Sequence, residues 1–232
     1  MLPTSNDNGH PLADRFRRHI RQTRFPCVGA KSALARGRME IMVARDIGSS
    51  WDDLRIYQAL FNFARAYRRR PRPYQSFVVI FDARRPLSDI AFERLLWTRL
   101  QSLTDKDAWH GQHHARGLSD DPVDPRFALS FAGEGFFVVG LHPGAGRRSR
   151  RFDRPVLVFN PHDQFETLRR EGVYEKLRAK ILARDLALSG SENPMLARHG
   201  EASGARQYSG RVVEDTWTCP FHRPAGPTSL AA

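Results

Sequence analysis

The chain has 232 residues, of which 41% are hydrophobic and 27% charged, the balance of one globular domain and unlike that of a disordered or membrane-spanning chain. No apolar run approaches the roughly 20 residues needed to cross a bilayer, and residues 1–21 lack the apolar stretch of a signal peptide, so a cytoplasmic protein with no membrane partner is expected. The formal net charge of +12 suits phosphates, carboxylates and anionic cofactors, whereas no zinc-finger, helix-turn-helix or aromatic-interleaved basic pattern points to nucleic acid.

Leu12, Phe16, His19 and Ile20 recur at helical spacing among arginines, which predicts an amphipathic helix over 12–24, an N-terminal arm (1–24) lying on the body of the protein. Pro26 breaks it. From Cys27 the run to Ala35 restarts as a short helix, which Gly37 ends before a strand over 39–43. A longer helix is predicted over 51–69, with Asp52 and Asp53 in its first turn, arginines in its last, and Leu54, Tyr57, Leu60, Phe61 and Ala64 on one face. The continuous apolar run 77–81 reads as a strand covered on both faces. Ser88 reads as the N-cap of a helix to about Leu103, whose stripe includes Phe92, Leu95, Leu96, Leu100 and Leu103.

Residues 104–124 show no periodicity and are expected as a long loop, often a functional element in compact domains. Strands over 127–131 and 136–141, joined through Ala132-Gly133-Glu134-Gly135, form a hairpin. A further strand covers 156–159, after which Asn160 and Pro161 read as the N-cap and first position of a helix reaching Arg170. Another helix spans 173–188. The tail from Ser189 is expected as an ordered coil wrapped over the domain, with 224–232 fraying. Together these elements predict a single α/β domain over 25–223, more closely mixed α+β: a central, mostly antiparallel or mixed sheet flanked by helices, with an extended C-terminal coil.

Three stretches carry a resemblance. Phe25-Pro26-Cys27-Val28, the block 124–172 with FFVVGLHP, RRF and LVFN-x-H-x-QFE, and the tail 193–221 ending in CPF together resemble the YqcI/YcgG family over about 25–221, although residues 97–124 follow its pattern poorly. The resemblance implies haem-dependent oxygenation, with haem b as cofactor and dioxygen plus an external reductant as co-substrates. It also implies hydroxylation of a nitrogen in arginine or a related guanidino or amino compound. No Gly-rich dinucleotide fold is visible, so electrons come from elsewhere, an electron-donor protein among the sources, or peroxide serves. A homodimer is left open.

The residues themselves offer the parts of such a site. Cys27 stands at a helix start, where free N–H groups and the dipole favour thiolate, and thiolate ligation favours O–O cleavage. Cys27 is therefore the first choice of axial metal ligand, against the reading of a buried structural cysteine. His142, held at a strand end by Pro143, and Cys219, in an aromatic-rich anchor, compete with it. The cluster Arg147, Arg148, Arg150 and Arg151 offers charge for the propionates, with Arg151 expected to point inward and Tyr208 and Arg211 joining from the tail. Asp163 and Glu166, three apart on one helix face with His162 beside them, are the carboxylates expected to receive a guanidinium; Glu134 is a lesser candidate. Their plainer reading is a first-turn Asp and a Glu paired with Arg169 or Arg170. Rival readings are a non-haem iron site drawn from His142, His162, His199 and Glu166, a haem-binding sensor or carrier without turnover, and a basic interaction protein without cofactor.

Overall fold

The computed structural model of the chain describes residues 7, 9–195 and 202–222. Among them it is a mixed α+β domain built on one five-stranded sheet. The strands are β1 (Met39–Ala44), β2 (Ser76–Phe81), β3 (Leu129–Phe131), β4 (Glu134–Leu141) and β5 (Val156–Pro161), in the order β1-β2-β5-β4-β3. β1 and β2 are parallel and the other neighbours antiparallel. The parallel pair is connected through α3 (Asp53–Arg69), as a crossover requires.

Period-two alternation sends each strand's side chains to two apolar layers. One face carries Met42, Phe77, Val79, Phe136, Val138, Leu157 and Phe159, packed against α3 and α4 (Asp89–Trp109). The other carries Ile41, Val78, Ile80, Leu141 and Val156, against α1 (Pro11–Arg21) and α2 (Val28–Ala35). α4 crosses the first face at Gly140, where a Cβ would come within 2.6 Å of Phe92. Along the antiparallel edge, α5 (Asp163–Arg170) and α6 (Tyr174–Ser189) follow β5, and 202–222 form a coil around the one-turn helix α7 (Ala205–Tyr208). That coil is anchored as expected: Tyr208, Val213, Cys219 and Phe221 are buried, and Trp97 of α4 meets the rings of Tyr208, Trp217 and Phe221. The tail expected to fray, 224–232, lies outside the described residues. Among those described, no helix is long and apolar enough to cross a membrane.

Several boundaries differ from expectation. α4 runs to Trp109 because its buried stripe continues past Leu103 through the polar Thr104 and Asp107; Asp107 accepts from Tyr57 Oη at 3.1 Å and from the Ala132 amide at 3.0 Å. Leu54 is 67% exposed, and the buried residue beside it is Asp53. The hairpin turn is tighter than Ala132-Gly133-Glu134-Gly135: Phe131 pairs directly with Glu134, and Ala132 and Gly133 both have positive φ, as a two-residue type I′ turn needs. Asn160 does not cap α5. The strand continues through Pro161, His162 takes the cap position, and Asn160 bonds across the sheet to Ser76 Oγ (2.8 Å) and the Phe137 carbonyl (3.3 Å).

Candidate functional site

α6 carries an apolar stripe, Leu177, Ile181 and Leu182, with Tyr174 in line, yet none of these residues is buried; Asp185 alone is. A helix with such a face normally seats it on the core. α6 instead rests on α2, α5 and the turn at Arg148–Arg150, and a slot of about 340 Å³ lies between it and the sheet. Phe137, Val139 and Leu141 of β4 and Val158 of β5 form its floor, α1 and α2 close one end, and Phe127 with the tail residues Gly204 and Gln207 reach the other.

Cys27 opens into this slot. It caps α2, its Sγ accepting from the Ala30 amide at 3.4 Å, so the expected placement at a helix start is found. The expected lowering of the thiol pKa is not: burial pushes it up, and the amides of Ala30 and Gly29 and the charge of Arg150 only partly oppose this. Arg150 also borders the slot. It donates to the carbonyls of Gly140 (3.1 Å), Tyr208 (3.4 Å) and Gln207 (3.1 Å), and burial lowers its pKa to about 10. Within the arginine run this is the side chain that turns inward.

The other arginines differ from expectation. Arg151 is exposed and donates to the carbonyls of Ala145 (2.6 Å) and Gly146 (3.3 Å), because the 3-10 turn ending at Arg150 leaves it on the outer side. Arg147 binds Asp185 and the carbonyls of Ser191 and Glu192, pinning the end of α6. Arg211 pairs with Glu93 of α4 at 2.6 Å. Tyr208 is wholly buried in the opposite layer, donating to the Phe136 carbonyl at 3.2 Å. None of these four lines the slot.

Nor do the competing ligands. His142 follows Leu141 and so faces the α4 side of the sheet, where it is fully buried, stacks on Phe92 and meets Asp89 Oδ1 at 3.0 Å. Cys219 is packed in that same layer, its thiol pushed up to about 12 by burial.

The carboxylates expected to receive a guanidinium lie elsewhere, in an open basin of about 790 Å³ lined by Arg68, residues 111–118, the β3–β4 turn, His162, Asp163 and Glu166. Asp163 accepts from Tyr67 Oη, while Glu166 pairs with Arg169 at 2.5 Å, the plainer of its two readings. Glu134, the lesser candidate, is the more perturbed: burial first, then the charge of Asp163, raise its pKa to about 7 against the pull of Arg68. His162 borders both the basin and the slot, its amide fixed to the Gly135 carbonyl at 2.8 Å. The basin wall is the loop after α4, so part of the long loop over 104–124 does line a cavity.

The iron set does not assemble. His162 lies opposite Gly135 at one end of β4 and His142 follows the other end, about 20 Å apart along the strand. His199 is outside the described residues, and among those described no group of three or more His, Cys, Asp or Glu is placed to hold a metal ion.

The model of one family, described as the YqcI/YcgG family, matches residues 16–222. The chain belongs to the YqcI/YcgG family. No curated protein and no solved structure matches it. The YqcI/YcgG match takes in α2 with Cys27, all five strands and α6, so every wall of the slot lies inside it.

Proposed function

We propose that this protein is a haem-dependent mono-oxygenase that hydroxylates a nitrogen of arginine or a related guanidino or amino compound, with the haem in the slot under α6 and Cys27 as its axial ligand. The observation that carries the reading is the Cys27 sulfur, at a helix start, facing an apolar slot that arginines also border. The residues fit haem b on three counts. Phe137, Val139 and Val158 below and Leu177, Ile181 and Leu182 above offer flat apolar walls, Cys27 a soft ligand, and Arg150, Arg169 and Arg178 positive charge for two propionates. The slot's volume is at the small end for ligand cavities, so a porphyrin needs one wall to yield. α6 buries a single side chain, Asp185, so little apolar packing is lost if it yields.

Haem held there would supply the activation of dioxygen, with electrons from an external reductant. The chain's residues do the rest. Burial holds the Cys27 thiol protonated against the amides of Ala30 and Gly29 and the charge of Arg150, so the metal itself would have to draw off the proton for ligation. The apolar walls exclude water from the reacting centre. Among the carboxylates of the basin, Asp163 is the one we assign to the cationic group of a guanidino or amino compound, with Glu134 beside it and Arg68, Arg116 and Arg126 in the same lining, and His162 stands where basin and slot meet.

The test is optical and chemical. Protein loaded with hemin should show a Soret band and, reduced under carbon monoxide, the red-shifted band of thiolate ligation; Cys27→Ala should lose that shift while keeping its circular dichroism. Mass spectrometry should then find oxygen-dependent gain of one oxygen on an arginine-like compound. Protein that takes up no hemin would sink the reading, and haem without turnover would reduce it to a carrier or sensor.

A further inference from the structure

Four cations gather on the outer side of the loop that leads to Cys27. Lys31 of α2 donates from Nζ to the carbonyls of Gln22 (2.7 Å) and Thr23 (3.2 Å), and Arg184 of α6 donates to the same Thr23 carbonyl. Arg24 is exposed beside them, its Nε on the Gln22 side chain at 3.4 Å, and Lys180 is exposed one turn before Arg184 on α6. Among the described residues none of the four forms an ion pair. Burial, and then the charge of Arg184, lower the Lys31 pKa, so these cations crowd together without an anion between them.

Positive charge is common on this chain, and the place of this cluster sets it apart. Cys27 follows the exposed Thr23 by one short loop, its carbonyl accepting from the Lys31 amide at 3.2 Å. Phe25 and Pro26, buried and lining the slot, lie between. From the opposite side the slot is shielded by the sheet and by α3 and α4, roughly 20 Å of packed layers. Electron transfer slows exponentially with distance, so the loop before Cys27 is the short way in. Asp120, Asp121 and Asp124 stand in the loop before Phe127, at the far end of the slot. An acidic protein is therefore steered to the Cys27 end.

Resting on the haem reading above, which requires an external reductant, we infer that Arg24, Lys31, Lys180 and Arg184 form the docking surface for an acidic electron-donor protein. Each encounter takes one electron from the donor, which is oxidised by one unit. Two such electrons and two protons reduce one atom of dioxygen to water, while the other atom is inserted into an N–H bond of the substrate.

The test uses the full chain, with and without hemin, and a plant-type ferredoxin, an acidic iron–sulfur protein that gives one electron at a time. Calorimetry should show ferredoxin binding to the hemin-free chain, weakened about tenfold or more between about 0.02 M and about 0.3 M salt. Arg24→Glu with Lys180→Glu alters exposed side chains that do not bond the main chain, and should weaken that binding about tenfold. It should also slow stopped-flow reduction of the hemin-loaded chain by ferredoxin to the same degree, while photoreduced deazariboflavin, small and uncharged, keeps its rate. Arg65→Glu with Arg94→Glu, exposed on the α3–α4 side, makes the same change in net charge and should leave binding and reduction within about twofold. Equal losses in the two double variants, binding indifferent to salt, or no binding of ferredoxin, whether or not anionic phosphatidylserine vesicles are bound instead, would overturn the docking surface. A chain that binds ferredoxin in the expected way yet forms no Soret band with hemin would overturn the haem reading alone.

Discussion

Asp53 of α3 and Arg99 of α4 form an ion pair with their side chains 1% and 2% exposed. Arg99 also donates to the Ile47 carbonyl from Nε (3.3 Å) and Nη2 (3.1 Å), and Ser102 and Lys106 add donors to Asp53. The pair ties α4 to α3 and to the loop before it. Removing one partner strands a buried charge, so Asp53→Ala should lose about 3–5 kcal/mol of stability by urea unfolding. The double change Asp53→Leu with Arg99→Met should cost much less, since neither charge then remains. A single variant as stable as the parent would show that solvent reaches the site.

The same pair marks where the sequence stops being readable. Among the described residues, hydrophobic period together with cap and break residues located every strand and every α-helix longer than one turn. It failed where the buried positions are polar, as at Asp53, Thr104 and Asp107, and it misjudged the start of α5 because Asn160 found a partner across the sheet in place of a cap. Of the candidate site, Cys27 was legible as a helix cap, and Asp163 with Glu166 as neighbours. The slot was not: the stripe of α6 has the same pattern whether it seats on a core or spans a cavity. Which arginine of the run 147–151 turns inward depends on a 3-10 turn, and Asp185 carries no local signal at all.

Glu134 gives a pH signature. Its folded pKa, about 7, is raised above its ordinary value by burial and by Asp163. Such a carboxyl contributes stability that is fully present below the unfolded pKa and is lost as pH rises through 7. Glu134→Gln should therefore unfold at a higher temperature than the parent at pH 8, by on the order of 1 kcal/mol after screening, with the difference vanishing near pH 4.5. Thermal melts across that range decide it, and a difference independent of pH would mean that the carboxyl is solvated.

His142 is packed as a support of the fold, away from the slot. Its ring is fully buried on Phe92 with Asp89 at Nε2, and burial lowers its pKa although Asp89 pulls the other way. A depressed imidazole contributes stability above the unfolded pKa that is lost as pH falls through the folded one, so its share fades on acidification below about 6.5. His142→Ala should cost about 2–4 kcal/mol, a buried ring and its hydrogen bond together, yet leave hemin uptake per folded molecule unchanged. Loss of hemin from a variant that melts like the parent would return His142 to the list of ligands.

Val158 tests the slot directly. It stands on β5, its neighbours Leu157 and Phe159 belong to the buried layer on the α4 side, and its own side chain is half-buried on the floor under α6. A larger apolar group there meets open space toward Leu177 and Ile181, where the same enlargement at Leu157 would meet a filled core and strain it. Val158→Phe should accordingly stabilise the protein by about 0.5–2 kcal/mol, as cavity-filling changes do. If the slot holds haem as proposed, it should also weaken hemin by about tenfold or more, because the ring would take space that the porphyrin needs. The two effects have opposite senses, so misfolding cannot imitate them. A variant that is more stable and still binds hemin like the parent would place the cofactor elsewhere.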